Sequence, residues 1–230
     1  MENDGQNGMG IVEDNIFDYH KLPDIKSGQS FNGHMTSEEF RNRKKEAEFH
    51  YRNFLYALGY NVDEDPALQK TPYRVTKMMM NEISKGTYES IPEITVFPNT
   101  NKYNGLVFEG NIELKSICAH HCMPFMGVCH IAYFPDSNII GISKLNRLVD
   151  YCARRLQTQE YLTQLIHETL NSILIGNHGI AVYCDAQHTC VSHRGVNQDS
   201  NTQTCMVSGF FLENAASKQE FLQMISNLKK

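Results

Sequence analysis

Two short stretches hold the residues best suited to metal chemistry: SICAHHCMPF, residues 116–125, and DAQHTC, residues 185–190. In the first, Cys118 and His121 stand three apart, so one turn presents both to a single ion. Zinc accepts thiolate and imidazole together in tetrahedral geometry. The second stretch offers His188 and Cys190. Cys118, His121 and Cys190 together leave a fourth position for water, the arrangement of catalytic zinc sites. Cys122 would instead close a Cys3His shell of the structural kind. Spacing alone leaves both arrangements open, beside the plainer reading of buried thiols and satisfied histidines. His120 and His188 are acid–base candidates, because imidazole titrates near neutrality.

Basic residues recur at helical spacing elsewhere. SKLNR puts Lys144 and Arg147 on one helical face, near a helix start whose free N–H groups favour an anion. TPYRVTK repeats the spacing with Arg74 and Lys77, and SHRGVN adds Arg194. Each pair alone reads as a solvated face; beside a metal they suggest a phosphate-bearing substrate. No GxxxxGK[ST] loop is present, which excludes P-loop chemistry. Gln159 and Glu160 set an amide beside a carboxylate. A carboxylate accepts from two neighbouring donors, such as the N1–H and exocyclic amine of guanine.

The elements that must position these groups follow from periodicity and punctuation. Thr36 or Ser37 caps a helix that runs to about Leu58 and stops at Gly59. Thr71 caps a second, with Pro72 at its first position and Val75, Met78, Met79 and Ile83 as a core stripe up to Gly86. ITVFP, GLVFEG, NIELKSI and GVCHIAYFP then read as strands. In the last, Cys129, Ile131 and Tyr133 share one face; Val128, His130, Ala132 and Phe134 share the other. NIIGI extends this set or leads into the next helix. Ser143 caps a helix reading SKLNRLVDYCARRLQ. Leu162, Leu165, Ile166, Leu170 and Ile173 mark another helix. GIAVYCDAQHTC and TCMVSGFFL read as paired strands, and SKQEFLQMISNLKK as a closing helix with Phe221, Met224 and Ile225 inward. The order predicts an α+β fold with helices on one face of an antiparallel sheet. Residues 1–35 read as a flexible tail with a short docked piece around IFDYHKLP, residues 36–90 as a helical module, and residues 91–230 as the catalytic domain.

The chain has 230 residues with a formal net charge of -5. That size buries an ordinary core without disulfide staples. The acidic balance argues against a nucleic-acid coat. Seven cysteines, with no apolar leader ahead of them, predict a reducing compartment, the cytoplasm, rather than a disulfide framework. No apolar run reaches the length of a membrane span.

Taken in order, TPYRV, ELKSICAHHCMPFMGVCHIAYFP, GISKLNRLVD, RRLQTQEYLTQLI, HTCVSHRGV and DSNTQTC resemble the GTP cyclohydrolase I family over roughly residues 40–230. The resemblance implies a tunnelling fold, an antiparallel sheet backed by two helices with an N-terminal helical module. It implies a homodecamer with sites between subunits, one Zn2+ per subunit, and hydrolysis of GTP to 7,8-dihydroneopterin triphosphate and formate. It places the zinc ligands on Cys118, His121 and Cys190, leaving Cys122 outside. It places catalytic roles on His120 and His188, and guanine recognition on Glu160 and Gln159. It puts Ser143, Lys144, Arg147 and Arg194 on the triphosphate side, Ser143 also moving protons in the later rearrangement, with Arg74 and Lys77 as helpers. One departure stands out: the family usually reads CEHH where this chain has Cys118, Ala119, His120 and His121. Two other readings are a cyclohydrolase for a modified purine or pterin, which Ala119 leaves open, and a zinc-stabilised oligomer without turnover, against which His120, His188 and Glu160 argue.

Overall fold

The computed structural model describes residues 25–228; the expected docked piece IFDYHKLP lies outside the described residues. The first helix, α1 (Ser37–Ala57), starts as its sequence dictates. Thr36 accepts from the Glu39 N–H, and Glu39 returns a carboxylate to the Thr36 N–H at 2.7 Å, a reciprocal capping box. The second helix, α2 (Thr71–Met78), carries Pro72 in its first turn, where a missing N–H costs nothing. It does not run on to Gly86. A wider turn over Met79–Ile83 and a tighter one over Lys85–Thr87 replace its last turns. Upstream, Gly28 donates to Leu156 O (2.8 Å) and Phe31 to Thr87 O (2.7 Å), so residues 28–31 are tied to the body.

The sheet is built on β2 (Val107–Cys118), β3 (Pro124–Phe134), β6 (Gly179–His188) and β7 (Asn201–Val207), neighbours in that order and all antiparallel. GLVFEG and NIELKSI turn out to be one strand, interrupted by a register shift between Glu109 and Ile112. An extra residue there bends the strand without ending it. A small separate pair joins β1 (Val96–Pro98) to β4 (Asn138–Ile140). The helix α3 (Ile142–Ala153) stops short of RRLQ, because Leu156 and Gln157 form β5, a two-residue parallel edge on β2. Ser143 does not cap α3: Gly141 holds the cap position, and no side chain bonds there. After β7, Gly209 at φ 53° turns the chain into the short helix α6 (Phe210–Glu213), so GFFL is not strand.

Both faces of the sheet are covered. The helices α3 and α4 (Gln159–Ile173) press Leu145, Leu148, Leu162 and Ile166 onto Cys129, Ile131 and Tyr133. On the other face α7 (Ala215–Leu228) covers Ala132, Ala181 and Phe211 with Phe221 and Ile225. Helices on one face only were expected; the second layer explains why β3 is apolar on both sides. Near the His188 end of their ladder, β3 and β6 approach closely. A Cβ on Gly127 would stand 2.0 Å from the Asp185 carbonyl oxygen, so only glycine fits there. The architecture is the tunnelling-fold layout of an antiparallel sheet backed by two helices, with a helical N-terminal region. Among the described residues no helix is long and apolar enough to cross a membrane.

Candidate metal centre and active site

The two halves of the metal motif meet through strand register. Cys118 ends β2, and a tight turn returns the chain to β3. The Cys122 N–H donates to Cys118 O at 2.9 Å and the Cys118 N–H to Met123 O at 2.8 Å. Phe125 is the Cα partner of His188, so the end of β6 lies beside this turn. The short helix α5 (Thr189–Ser192) then carries Cys190 over it, pinned by Thr189 Oγ1 donating to Pro124 O at 2.6 Å.

As a result the ligand atoms of Cys118, His121 and Cys190 all lie within 4.8 Å of one another. Tetrahedral zinc with bonds of about 2.0–2.3 Å spaces its ligands by somewhat less than 4 Å, so the donor set and its spread fit one zinc ion. No fourth Cys, His, Asp or Glu among the described residues joins the cluster. Cys122, at φ 54° and exposed, is not among the clustered ligands, which favours the open Cys2His arrangement. Cys118 and Cys190 are buried and His121 is exposed. Burial raises the Cys190 thiol, and the neighbouring Cys118 adds to it.

Other groups surround this cluster. Arg194 donates from Nη1 to His121 Nε2 at 2.9 Å, which puts a permanent cation at the mouth. His120 is exposed, with Nδ1 3.7 Å from Cys118 Sγ. The His188 ring stacks on Phe125 with centroids 4.5 Å apart and planes 9° from parallel. Burial lowers its pKa; the Glu160 carboxylate pushes it up, and His120 pushes it down. Glu160 and His120 are therefore both within electrostatic reach of His188. Ala119 uses its backbone, donating to Gln157 O at 3.0 Å.

Gln159 and Glu160 do not face the same way. Both lie in the first turn of α4, capped by Thr158, whose side chain accepts from the Tyr161 N–H. Glu160 is exposed and can meet a ligand. Gln159 is 1% exposed, and its amide is engaged by protein groups at both ends. Phe125, Thr163, Thr202 and Thr204 are neighbours that the spacing of titratable residues does not reveal; the threonines of DSNTQTC signal only the last two.

Ser143, Lys144 and Arg147 are not brought to this cluster. Asn146 Nδ2 donates to Glu109 Oε1 at 3.1 Å, which ties the start of α3 to the start of β2. Glu109 precedes Cys118 by nine residues of strand, on the order of 30 Å at about 3.3 Å per residue. There, Lys144 Nζ donates to Glu93 O (3.0 Å) and Arg147 lines a cleft with Lys85, Asp150 and Tyr151. Arg74 and Lys77 are exposed on α2.

A family model described as GTP cyclohydrolase I matches residues 47–226. A GTP cyclohydrolase 1 of Alkalilimnicola ehrlichii is 42% identical over 179 residues, 76% of this chain and 94% of the relative. That of Shewanella loihica is 41% identical over 78% of this chain and 84% of its own length. A GTP cyclohydrolase 1 of Pseudomonas syringae pv. tomato is 40% identical over 76% of this chain and 94% of its own length. With its motifs converged on one open Cys2His cluster, the chain belongs to the GTP cyclohydrolase I family.

Proposed function

We propose that this protein is a zinc-dependent GTP cyclohydrolase I that opens the imidazole ring of GTP at C8, releases formate and forms 7,8-dihydroneopterin triphosphate. This is the first step of pterin and tetrahydrofolate synthesis. The observation that carries the reading is the three-ligand cluster of Cys118, His121 and Cys190, with His120, His188 and Glu160 at its side. Bound zinc supplies Lewis acidity that makes a water nucleophilic near pH 7. Two waters enter, at C8 and at the formyl carbon, and one leaves on ring closure, so GTP and one water give formate and product.

The chain's own residues supply protons and position. His188 or His120 delivers a proton to N7, so that the departing nitrogen leaves neutral. Glu160 accepts from N1–H and the exocyclic amine of guanine; adenine would leave the carboxylate without those donors, a larger loss than a missing contact. Arg194 holds the near end of the triphosphate. Ser143, Lys144 and Arg147 stand too far from their own cluster to reach the same GTP, which supports a site completed by a neighbouring subunit. The protein is accordingly a homo-oligomer, and the homodecamer is our reading of its size. In that assembly Arg74 and Lys77 extend the basic lining, and Ser143 moves protons as the ribose rearranges. The cytoplasm, where thiols stay reduced, is the matching compartment.

The test is incubation of zinc-loaded protein with GTP, reading formate and pterin fluorescence. Both are expected, and a chelator abolishes both. Bound zinc without either product would make the protein a non-catalytic oligomer; turnover only of a modified purine would move the substrate class.

A further inference from the structure

We infer that Gln159 is a positioning residue for His188 rather than a contact to the base: its side-chain amide, anchored on β7, fixes the proton of His188 on Nε2 and leaves Nδ1 as the ring nitrogen that exchanges a proton with substrate. The inference rests on the cyclohydrolase reading of the site.

The argument is hydrogen-bond bookkeeping. Gln159 Nε2 donates to Thr202 O (2.8 Å), Thr204 Oγ1 (3.2 Å) and Cys184 O (3.3 Å). Two of these are carbonyl oxygens, which only accept. Flipping the amide would set Gln159 Oε1 against both, so its orientation is decided. The hydroxyls agree. Thr163 Oγ1 donates to Gln159 O (2.9 Å), so in the 2.6 Å contact between Thr163 and Thr204 it is Thr204 that donates. Thr204 Oγ1 is then free to accept from Gln159 Nε2, and the loop closes with every proton placed.

Gln159 Oε1 is therefore what faces His188 Nε2, at 2.9 Å. An amide oxygen accepts only, so Nε2 carries the hydrogen. The Phe125 stack holds the ring plane, and Gln159 holds its rotation. A base or acid held this way by a third group keeps one tautomer through turnover. The threonine-rich segment, which the metal and the nucleotide leave without a role, gains one: Thr202 and Thr204 set the amide that sets the histidine.

Steady-state kinetics of zinc-loaded variants with GTP test this. Gln159→Met keeps the length and removes the acceptor. It should lower kcat by about a hundred-fold, with KM for GTP within about twofold and zinc content unchanged. Gln159→Glu should recover most of the loss, because a carboxyl buried among carbonyls stays protonated and both donates and accepts. Thr204→Val removes one anchor and should lower kcat several-fold at unchanged KM. A raised KM with kcat retained in Gln159→Met would make Gln159 a base contact and overturn the inference. So would a Gln159→Glu variant no better than Gln159→Met. If Gln159→Met does not fold, Thr204→Val decides, and an unchanged kcat there refutes the anchor. Failure of the wild-type protein to release formate would instead refute the cyclohydrolase reading.

Discussion

At one end of β2, Cys118 enters a cluster whose parts come from two hairpin-linked segments and which is complete in one chain. At the other end, Glu109 holds Asn146, and α3 presents Ser143 and Arg147 to solvent with Lys144 nearby. The first end has donors for a cation and two histidines beside them. The second has donors for an anion and no metal ligand set. A single GTP is much shorter than the strand between them. On the proposed reading, these are two half-sites of opposite charge preference, one for the chain's own catalytic centre and the other for a neighbour's.

Breaking the metal end should have the largest effect. Cys190→Ser is expected to lose bound zinc and to release no detectable formate, measured by metal analysis and product assay. Next, Glu160→Ala should reduce kcat/KM for GTP by about a hundred-fold or more, since a buried donor pair loses its acceptor, while zinc content stays at the wild-type level. At the far end, Arg147→Ala should raise KM for GTP about ten-fold with zinc retained, the loss of one charge-assisted contact. The comparison sharpens when the two broken ends are mixed. Oligomers co-assembled from Cys190→Ser and Arg147→Ala chains should regain a fraction of sites with wild-type KM; their absence would return both half-sites to one chain.

The smallest effect lies away from both ends. His167 on α4 is 6% exposed and meets Ser208 Oγ through Nε2 at 3.0 Å. Burial lowers its pKa below the ordinary 6.5, with Glu168 opposing. The unfolded chain then binds the proton first as pH falls. Stability is full above 6.5 and declines as pH drops below it through the folded value. A melting series should show that decline, and His167→Leu should flatten it.

Local chemistry made much of this legible. The cap at Thr36 or Ser37, the Gly59 stop, and the two faces of GVCHIAYFP read directly from residue types, because each is fixed by neighbours in the chain. The ligand trio was legible only as one of two options. What separates them is that Cys122, in a left-handed turn, stays outside the cluster, and no residue pattern records that. The end of α3 was misread because RRLQ is as good a helix as its predecessor; pairing of Gln157 with Cys118 overrides that propensity. The burial of Gln159 was not legible for a related reason. Adjacent positions on a helix face directions about 100° apart, so the neighbour of an exposed carboxylate can be wholly buried.

Gly127 pairs with Ala186, near the metal end of the seam that joins the two ligand-bearing hairpins. It has no donor atom and touches no substrate, yet a single methyl there would wedge the seam open two rungs from Phe125 and His188. The bite of the coordination site is therefore set by an empty space. A survey for chelator-sensitive mutants would return a position that no inventory of ligands contains.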